Sequence, residues 1–231
     1  MRPTTTLFLL MSLDGKISTG DTDKWDVDKD IPKLSGDPAN GLQQYYDEEG
    51  ETSLWSLNSG RVMEKIGANK RNVNKDVKKI PVTFVFIDNH HMNENAIIYY
   101  SKFGKQVVVV TKNGDHPAIK LSARYHNIKI LKYSGYLNPN WMMEELYKLG
   151  CRDLTIQTGG TINCLLLRYH LIDKVNIIMW PGLVGGEHTS TLVDGPGIHS
   201  LDDIGVLKLT ACKPLKNSYV QLKYDVVNSE K

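Results

Sequence analysis

The chain has 231 residues with Lys+Arg 28 against Asp+Glu 26, a net charge of +2, so no global field recommends nucleic acid or an anionic membrane as its main partner. Hydrophobic residues make up 41% and charged residues 23%, the balance of a folded globular protein, which excludes disordered, collagenous and coiled-coil chains. The length suits one large domain or two small ones, and a single domain, residues 1–231, is expected.

The first apolar stretch, Leu7–Met11, is shorter than the roughly 7–15 residues of a signal-peptide core and reads as part of a strand, Thr5–Met11. No apolar run approaches the roughly 18 residues of a membrane span. Gly20–Asp37 reads as a loop rich in aspartate, whose spacing does not fit a calcium loop. Next come a helix near Ala39–Glu49, a strand Ser53–Leu57 and a helix Gly60–Gly67. Asn69–Lys79, with Lys70, Arg71, Lys75, Lys78 and Lys79, reads as a solvated basic connection. Strands Val82–Ile87, Gln106–Thr111, Ile128–Tyr133 and Leu154–Gln157 then alternate with helices Asn95–Phe103, Pro117–His126, Pro139–Leu149 and Thr161–Tyr169, the order of a parallel sheet with crossover helices. The best-marked helix has Asn138 as cap, Pro139 in its first turn and Gly150 as its left-handed stop. After the strand Lys174–Trp180 come Gly205–Cys212 and Tyr219–Val227, joined by a link so short that they form an antiparallel hairpin. Val220, Leu222, Tyr224 and Val226 alternate with Gln221, Lys223 and Asp225, predicting that the first set is buried and the second wet. The predicted class is α/β: a three-layer arrangement with a mixed, mostly parallel central sheet, flanked by helices and finished by an antiparallel hairpin. Cys151, Cys164 and Cys212 are odd in number and widely spaced, which fits neither a disulfide framework nor a zinc site and points to a reducing, cytoplasmic setting. The histidines are scattered, and no metal is expected.

Three strand ends carry chemistry. Ile156–Gln157 runs into Thr158-Gly159-Gly160-Thr161-Ile162, where glycines let a diphosphate approach the main chain and a helix start offers unpaired N–H groups; a tight packing turn is the alternative. At Asn58-Ser59-Gly60-Arg61, Asn58 or Ser59 can cap a helix and Arg61 can pair with a phosphate. Beyond Val107–Val110, Thr111 and Lys112 stand at the carboxyl end of a strand, the end where parallel sheets bind ligands, with Lys112 placed for a ribose 2′-phosphate. The classical dinucleotide fingerprint and the P-loop pattern are both absent.

Met11-Ser12-Leu13-Asp14-Gly15-Lys16-Ile17, Thr158-Gly159-Gly160-Thr161, Leu171-Ile172-Asp173-Lys174 and Pro181-Gly182-Leu183-Val184-Gly185-Gly186, in that order from about Arg2 to Val227, resemble the reductase domain of riboflavin biosynthesis. The resemblance implies a dihydrofolate-reductase-like fold, NADPH as cofactor, a homodimer, and reduction of a ribosylaminopyrimidine phosphate as in 5-amino-6-(5-phosphoribosylamino)uracil reductase. It implies Asp14 and Lys16 as catalytic and Ser12, Leu183, Gly185, Gly186 and Glu187 at the substrate; the three strand ends themselves give Ser59, Gly60, Arg61, Thr111, Lys112, Thr158, Gly159, Gly160, Thr161 and Ile162 at the cofactor, and Trp25, an aromatic ring in an otherwise polar loop, is taken at the substrate. Thr158 stands where the family usually has Glu, and the zinc-deaminase signature is missing from these residues. Two alternatives stay open: a reductase of another small carbonyl, imine or pteridine, and a silent nucleotide-binding module.

Overall fold

The computed structural model describes residues 1–74 and 76–227, side chains 37 and 38 excepted. Lys75 of the expected basic connection and the end of the expected domain, 228–231, lie outside the described residues. Residue contacts group the chain into two compact units, one of residues 1–3 and 53–158 and one of 4–52 and 159–231.

The first unit contains β2 (Trp55–Ser59), α4 (Gly60–Lys65), β3 (Thr83–Ile87), α5 (Glu94–Phe103), β4 (Gln106–Thr111), α6 (Pro117–Ser122), β5 (Ile128–Lys132), α7 (Pro139–Lys148) and β6 (Asp153–Gln157). Its strands lie in the order β5-β4-β3-β2-β6, every neighbouring pair parallel. The four consecutive valines of β4 are all fully buried, because a parallel strand between two parallel neighbours has no wet face. Val107 and Val109 pack with Phe86, Ala96, Ile97, Tyr100, Ala118 and Leu121, so the apolar sides of α5 and α6 close one face of this sheet. α7 begins and ends as its sequence dictates: Asn138 accepts from the amides of Asn140 and Trp141, Pro139 occupies N1, and Gly150 takes φ +102°.

The second unit contains β1 (Thr4–Ser12), α1 (Val27–Asp30), α2 (Asp37–Gly41), α3 (Gln43–Gly50), α8 (Gly160–Arg168), β7 (Lys174–Trp180), β8 (Val206–Pro214) and β9 (Val220–Val227). β1 pairs parallel with β7, β7 antiparallel with β9, and β9 antiparallel with β8. The mixed character read from the closing hairpin is therefore present. Phe8, Leu10, Val27, Ile31, Leu42, Tyr45, Ile178, Trp180 and Tyr219 form its core, with Phe8 stacked on Tyr45 at 5.1 Å between centroids.

Three local expectations need correction. The stretch Gly20–Asp37 is not all loop: α1 and a 3-10 turn, Ile31–Lys33, lie within it, held by Val27 and Ile31 in the core. Its aspartates serve the turns, Asp26 capping α1 and Asp30 accepting from the Asp26 amide at 2.9 Å, from Thr19 and from Lys33. The helix expected at Ala39–Glu49 is two, broken at Leu42; Gly41 sits so close to the Tyr219 ring that a Cβ there would overlap it. The hairpin alternation is reversed at Gln221, which is buried and donates to Glu48 at 2.7 Å and Asn176 at 3.1 Å, while Val220, Leu222, Tyr224 and Val226 are only half-buried. A polar side chain beneath α3 finds two carboxyl or amide oxygens there, and β8 on the other side is exposed along its whole length.

Candidate active site

The segment leaving β1 forms a tight turn in the second unit. The Gly15 amide donates to Ser12 O at 3.0 Å and the Ser12 amide to Lys16 O at 2.9 Å, and Gly15 takes φ +79°, which a side chain tolerates poorly. The turn projects Asp14 and Lys16 towards the loop that follows β7. Asp14 accepts from Ser12 Oγ at 2.5 Å, from the Val184 amide at 3.1 Å and from the Gly185 amide at 2.6 Å. Burial pulls its carboxyl upward, but the Ser12 hydroxyl and the Gly185 and Val184 amides together outweigh that and hold it down at about 2. Lys16 Nζ donates to Gly186 O at 2.8 Å and Thr189 O at 3.0 Å. Gly185 and Gly186 take φ +72° and +86°, the left-handed conformation that turns consecutive amides and carbonyls onto those two side chains.

These bonds give several expected residues partners within the chain. Asp14 and Lys16, assigned to catalysis by resemblance, clasp the Pro181–Glu187 loop from opposite charges, one by its amides and one by its carbonyls. Ser12, expected at the substrate, is fully buried, and its hydroxyl is spent on Asp14 and on the Lys16 amide. What the clasp displays to solvent is Leu183, 74% exposed, with Gly185, Gly186 and Glu187 also exposed. Trp25 is 49% exposed, its ring lying against Gly20.

The start of α8 belongs to the same unit. Gly159 is its N-cap and makes no side-chain capping bond, while Thr161 is exposed and Ile162 half-buried. Gly160 has a packing reason to be glycine: a Cβ would overlap the Asp194 carboxylate and the Thr191 carbonyl. Asp194 itself accepts from the Thr191 amide at 3.0 Å and its hydroxyl at 2.6 Å. The close approach at Gly160 is thus made by the chain's own loop.

In the first unit, hydrogen bonds from Asn89 cross-link the carboxyl ends of β3 and β4. Ser59, and not Asn58, caps α4 by accepting from the Val62 amide at 3.4 Å; Asn58 donates to Ser56 Oγ at 2.9 Å. Arg61 is exposed. Thr111 is buried and donates to Asn89 Oδ1 at 3.2 Å, while the Lys112 amide donates to the same oxygen at 2.8 Å; the Lys112 side chain is exposed. Thr158, at the far end of β6, is buried. Sequence reasoning missed Asn89, Asp88 and His116. Asp88 and His116 have fully buried side chains joined at 2.9 Å, and Gly60 is so close to Asp88 that a Cβ would overlap its carboxylate. The available signal was local: His116 precedes Pro117 at a helix start, the position of a capping residue.

Comparison with known proteins bears on the family and the fold. The family model described as the RibD C-terminal domain matches residues 3–220. The chain is 31% identical over 87 residues to a 2,5-diamino-6-ribosylamino-4(3H)-pyrimidinone 5′-phosphate reductase of Aquifex aeolicus, 38% of each chain. A Methanothermobacter thermautotrophicus protein of the same name is 37% identical over 68 residues, 29% of this chain and 32% of that one. The matched stretches thus span about a third of these relatives' length. Among solved structures, Acinetobacter baumannii RibD superposes with a TM-score of 0.66 at 15% identity, over 98% of this chain and 58% of that one. The Saccharomyces riboflavin biosynthesis reductase Rib7 gives 0.59 at 15%, over 98% and 90%. At those identities the likeness establishes the fold, while the family model, covering nearly the whole sequence, makes the chain a member of the RibD C-terminal domain family.

Proposed function

We propose that the chain is an NADPH-dependent reductase of a ribosylaminopyrimidine phosphate, converting the ribosylamino group to ribitylamino. The observation that carries this reading is the family match over residues 3–220, beside which three curated relatives share one name, a 2,5-diamino-6-ribosylamino-4(3H)-pyrimidinone 5′-phosphate reductase. That name favours the diaminopyrimidinone over the aminouracil as substrate. The donor set fits the cofactor: an exposed lysine, Lys112, beside a hydroxyl held at the carboxyl end of a parallel strand, with the exposed Arg61 in the same unit, suits a phosphorylated ribose. When bound, NADPH supplies a hydride, and the substrate's opened ribose, as a C=N group at C1′, takes that hydride and one proton to become an amine.

The protein's part is alignment and exclusion of water. The Asp14 and Lys16 clasp sets the shape of the Leu183–Glu187 loop, and Leu183 offers an apolar surface to a pyrimidine ring. An ammonium has three protons; Lys16 spends two on Gly186 and Thr189, leaving one for a substrate phosphate. We also propose a homodimer, with β8 as the contact, because Val206, Leu207 and Leu209 are 57%, 43% and 52% exposed on a sheet edge. Cys151, Cys164 and Cys212 are free thiols, which fits a reducing compartment, and among the described residues no helix is long and apolar enough to cross a membrane.

The test is absorbance loss of NADPH with the pure protein over the diaminopyrimidinone ribosyl phosphate, its deaminated uracil counterpart, dihydrofolate and simple carbonyls. Turnover is expected on the first. Turnover confined to a carbonyl or dihydrofolate, or tight NADPH binding without turnover on any, overturns the reading.

A further inference from the structure

The loop between β4 and α6 carries Lys112, and both of its ends are tied to two consecutive residues, Asp88 and Asn89, that follow β3. At the near end Asn89 Oδ1 accepts from the Lys112 amide at 2.8 Å, and Asn89 O accepts from Asn113 Nδ2 at 2.7 Å. At the far end His116 Nε2 meets Asp88 Oδ2 at 2.9 Å, both side chains wholly inaccessible. The proton positions follow from the partners. His116 Nδ1 accepts from the Ala118 amide at 3.1 Å, so it carries no proton, and Nε2–H is the donor to Asp88. Asp88 also accepts from the amides of His91 at 3.0 Å, His90 at 3.2 Å and Met92 at 2.8 Å. Four donors suit an ionised carboxylate. Burial raises the carboxyl, yet the His116 bond and the His91 and Met92 amides bring it below the usual range.

We propose that Asp88 and His116 are a positioning pair that sets cofactor specificity, holding the far end of the β4–α6 loop so that Lys112 is presented to the 2′-phosphate of NADPH. This rests on the reading of Lys112 as the 2′-phosphate ligand. Neither residue of the pair touches the cofactor; they act through the five-residue span from Lys112 to His116. An interaction made only with the 2′-phosphate distinguishes NADPH from NADH, so releasing the loop lowers discrimination and leaves the shared part of the nucleotide bound as before. A pair that merely stabilised the fold would lower the melting temperature and leave the ratio of the two affinities unchanged.

His116→Asn is the informative variant. Asparagine keeps an acceptor for the Ala118 amide, being a favoured cap, and is too short to reach Asp88. His116→Gln restores a donor at the distance of Nε2. Dissociation constants for NADPH and NADH are measured by fluorescence titration of the full chain, alongside Lys112→Ala. The expected result is a fall of about 10-fold in the NADPH preference for His116→Asn, with NADH affinity within about twofold of wild type and most of the preference regained in His116→Gln. If Lys112→Ala collapses the preference and a folded His116→Asn keeps it, the pair is structural and the inference is wrong while the reading of Lys112 stands. If Lys112→Ala keeps the preference, the reading itself fails. A measurement on the wild-type chain covers the case in which His116→Asn does not fold: NADPH, and not NADH, is expected to slow solvent exchange of the His116 Nε2 proton and the Lys112 amide. Equal slowing by both overturns the proposal.

Discussion

Asp14 illustrates how a carboxylate can serve the loop beside it. Its oxygens take the Val184 and Gly185 amides and the Ser12 hydroxyl, and an asparagine, whose Nδ2 cannot accept, leaves one of those donors unpaired. Asp14→Asn is expected to speed amide exchange at Val184 and Gly185 by about 10-fold and to lower kcat/KM for the pyrimidine by a similar factor, with NADPH affinity within about twofold; unchanged exchange at both amides refutes the clasp. Asp28 presents the opposite electrostatics. Burial, reinforced by the charges of Asp26 and Glu49, raises its carboxyl from 3.8 to about 7, and the same three carboxylates push the neighbouring Tyr46 phenol, itself raised first by burial, to about 12. Because the folded pKa lies above the unfolded one, the Asp28 contribution is fully present below about pH 4 and is lost as pH rises through about 7. Asp28→Asn is therefore expected to flatten stability between those values. At pH 8 a relief of about 1–2 kcal/mol would raise Tm by about 2–8 °C. Parallel melting curves for the two proteins from pH 4 to pH 8 count against it.

At the scale of elements, α8 shows why a glycine pair ahead of a helix has two readings. Gly160 is pressed against Asp194 and Thr191, so a valine there disrupts packing whatever the ligand, at a cost of about 1–3 kcal/mol. Loss of NADPH binding in that variant reports on the turn. Thr161 separates the two effects, since it is exposed and lies in the first turn of α8. Thr161→Glu leaves Asp194 untouched, places a negative charge where a helix start favours one, and repels a phosphate. The expected outcome is a Tm equal to or slightly above wild type with NADPH affinity lowered at least about 10-fold. Unchanged affinity at low ionic strength removes the α8 start from the cofactor site.

At the scale of the molecule, β8 is the feature a lone chain explains least. An edge strand exposing Val206, Leu207 and Leu209 invites another chain, and Lys208 and Lys213 punctuate it, which restrains open-ended pairing while allowing one defined contact. A mass near twice that of one chain is expected by light scattering at micromolar concentration, and Leu209→Lys is expected to halve it while leaving the fold intact by circular dichroism. A wild-type chain that stays monomeric at those concentrations removes β8 as the contact.

What the sequence by itself determined rests on near neighbours and on periodicity. β4 and β7 begin and end where their patterns do, α7 lies between the Asn138 cap and the Gly150 stop, and the short link before Tyr219 forces an antiparallel partner. The Asp14-Gly15 turn and the Gly-rich loop after Trp180 were legible as candidate site segments through the resemblance of their motifs to the family. Only the tertiary structure decided which groups meet across long separations. Gln221 is buried because Glu48 and Asn176 reach it, and residue 41 has to be glycine because the Tyr219 ring lies against it. Asp88 finds His116, 28 positions away, and Asp14 finds Val184 and Gly185, 170 and 171 positions away. A hydrogen bond extends only about 3 Å and depends on direction, so its partner is set by where the strands deliver each loop, which no local pattern records.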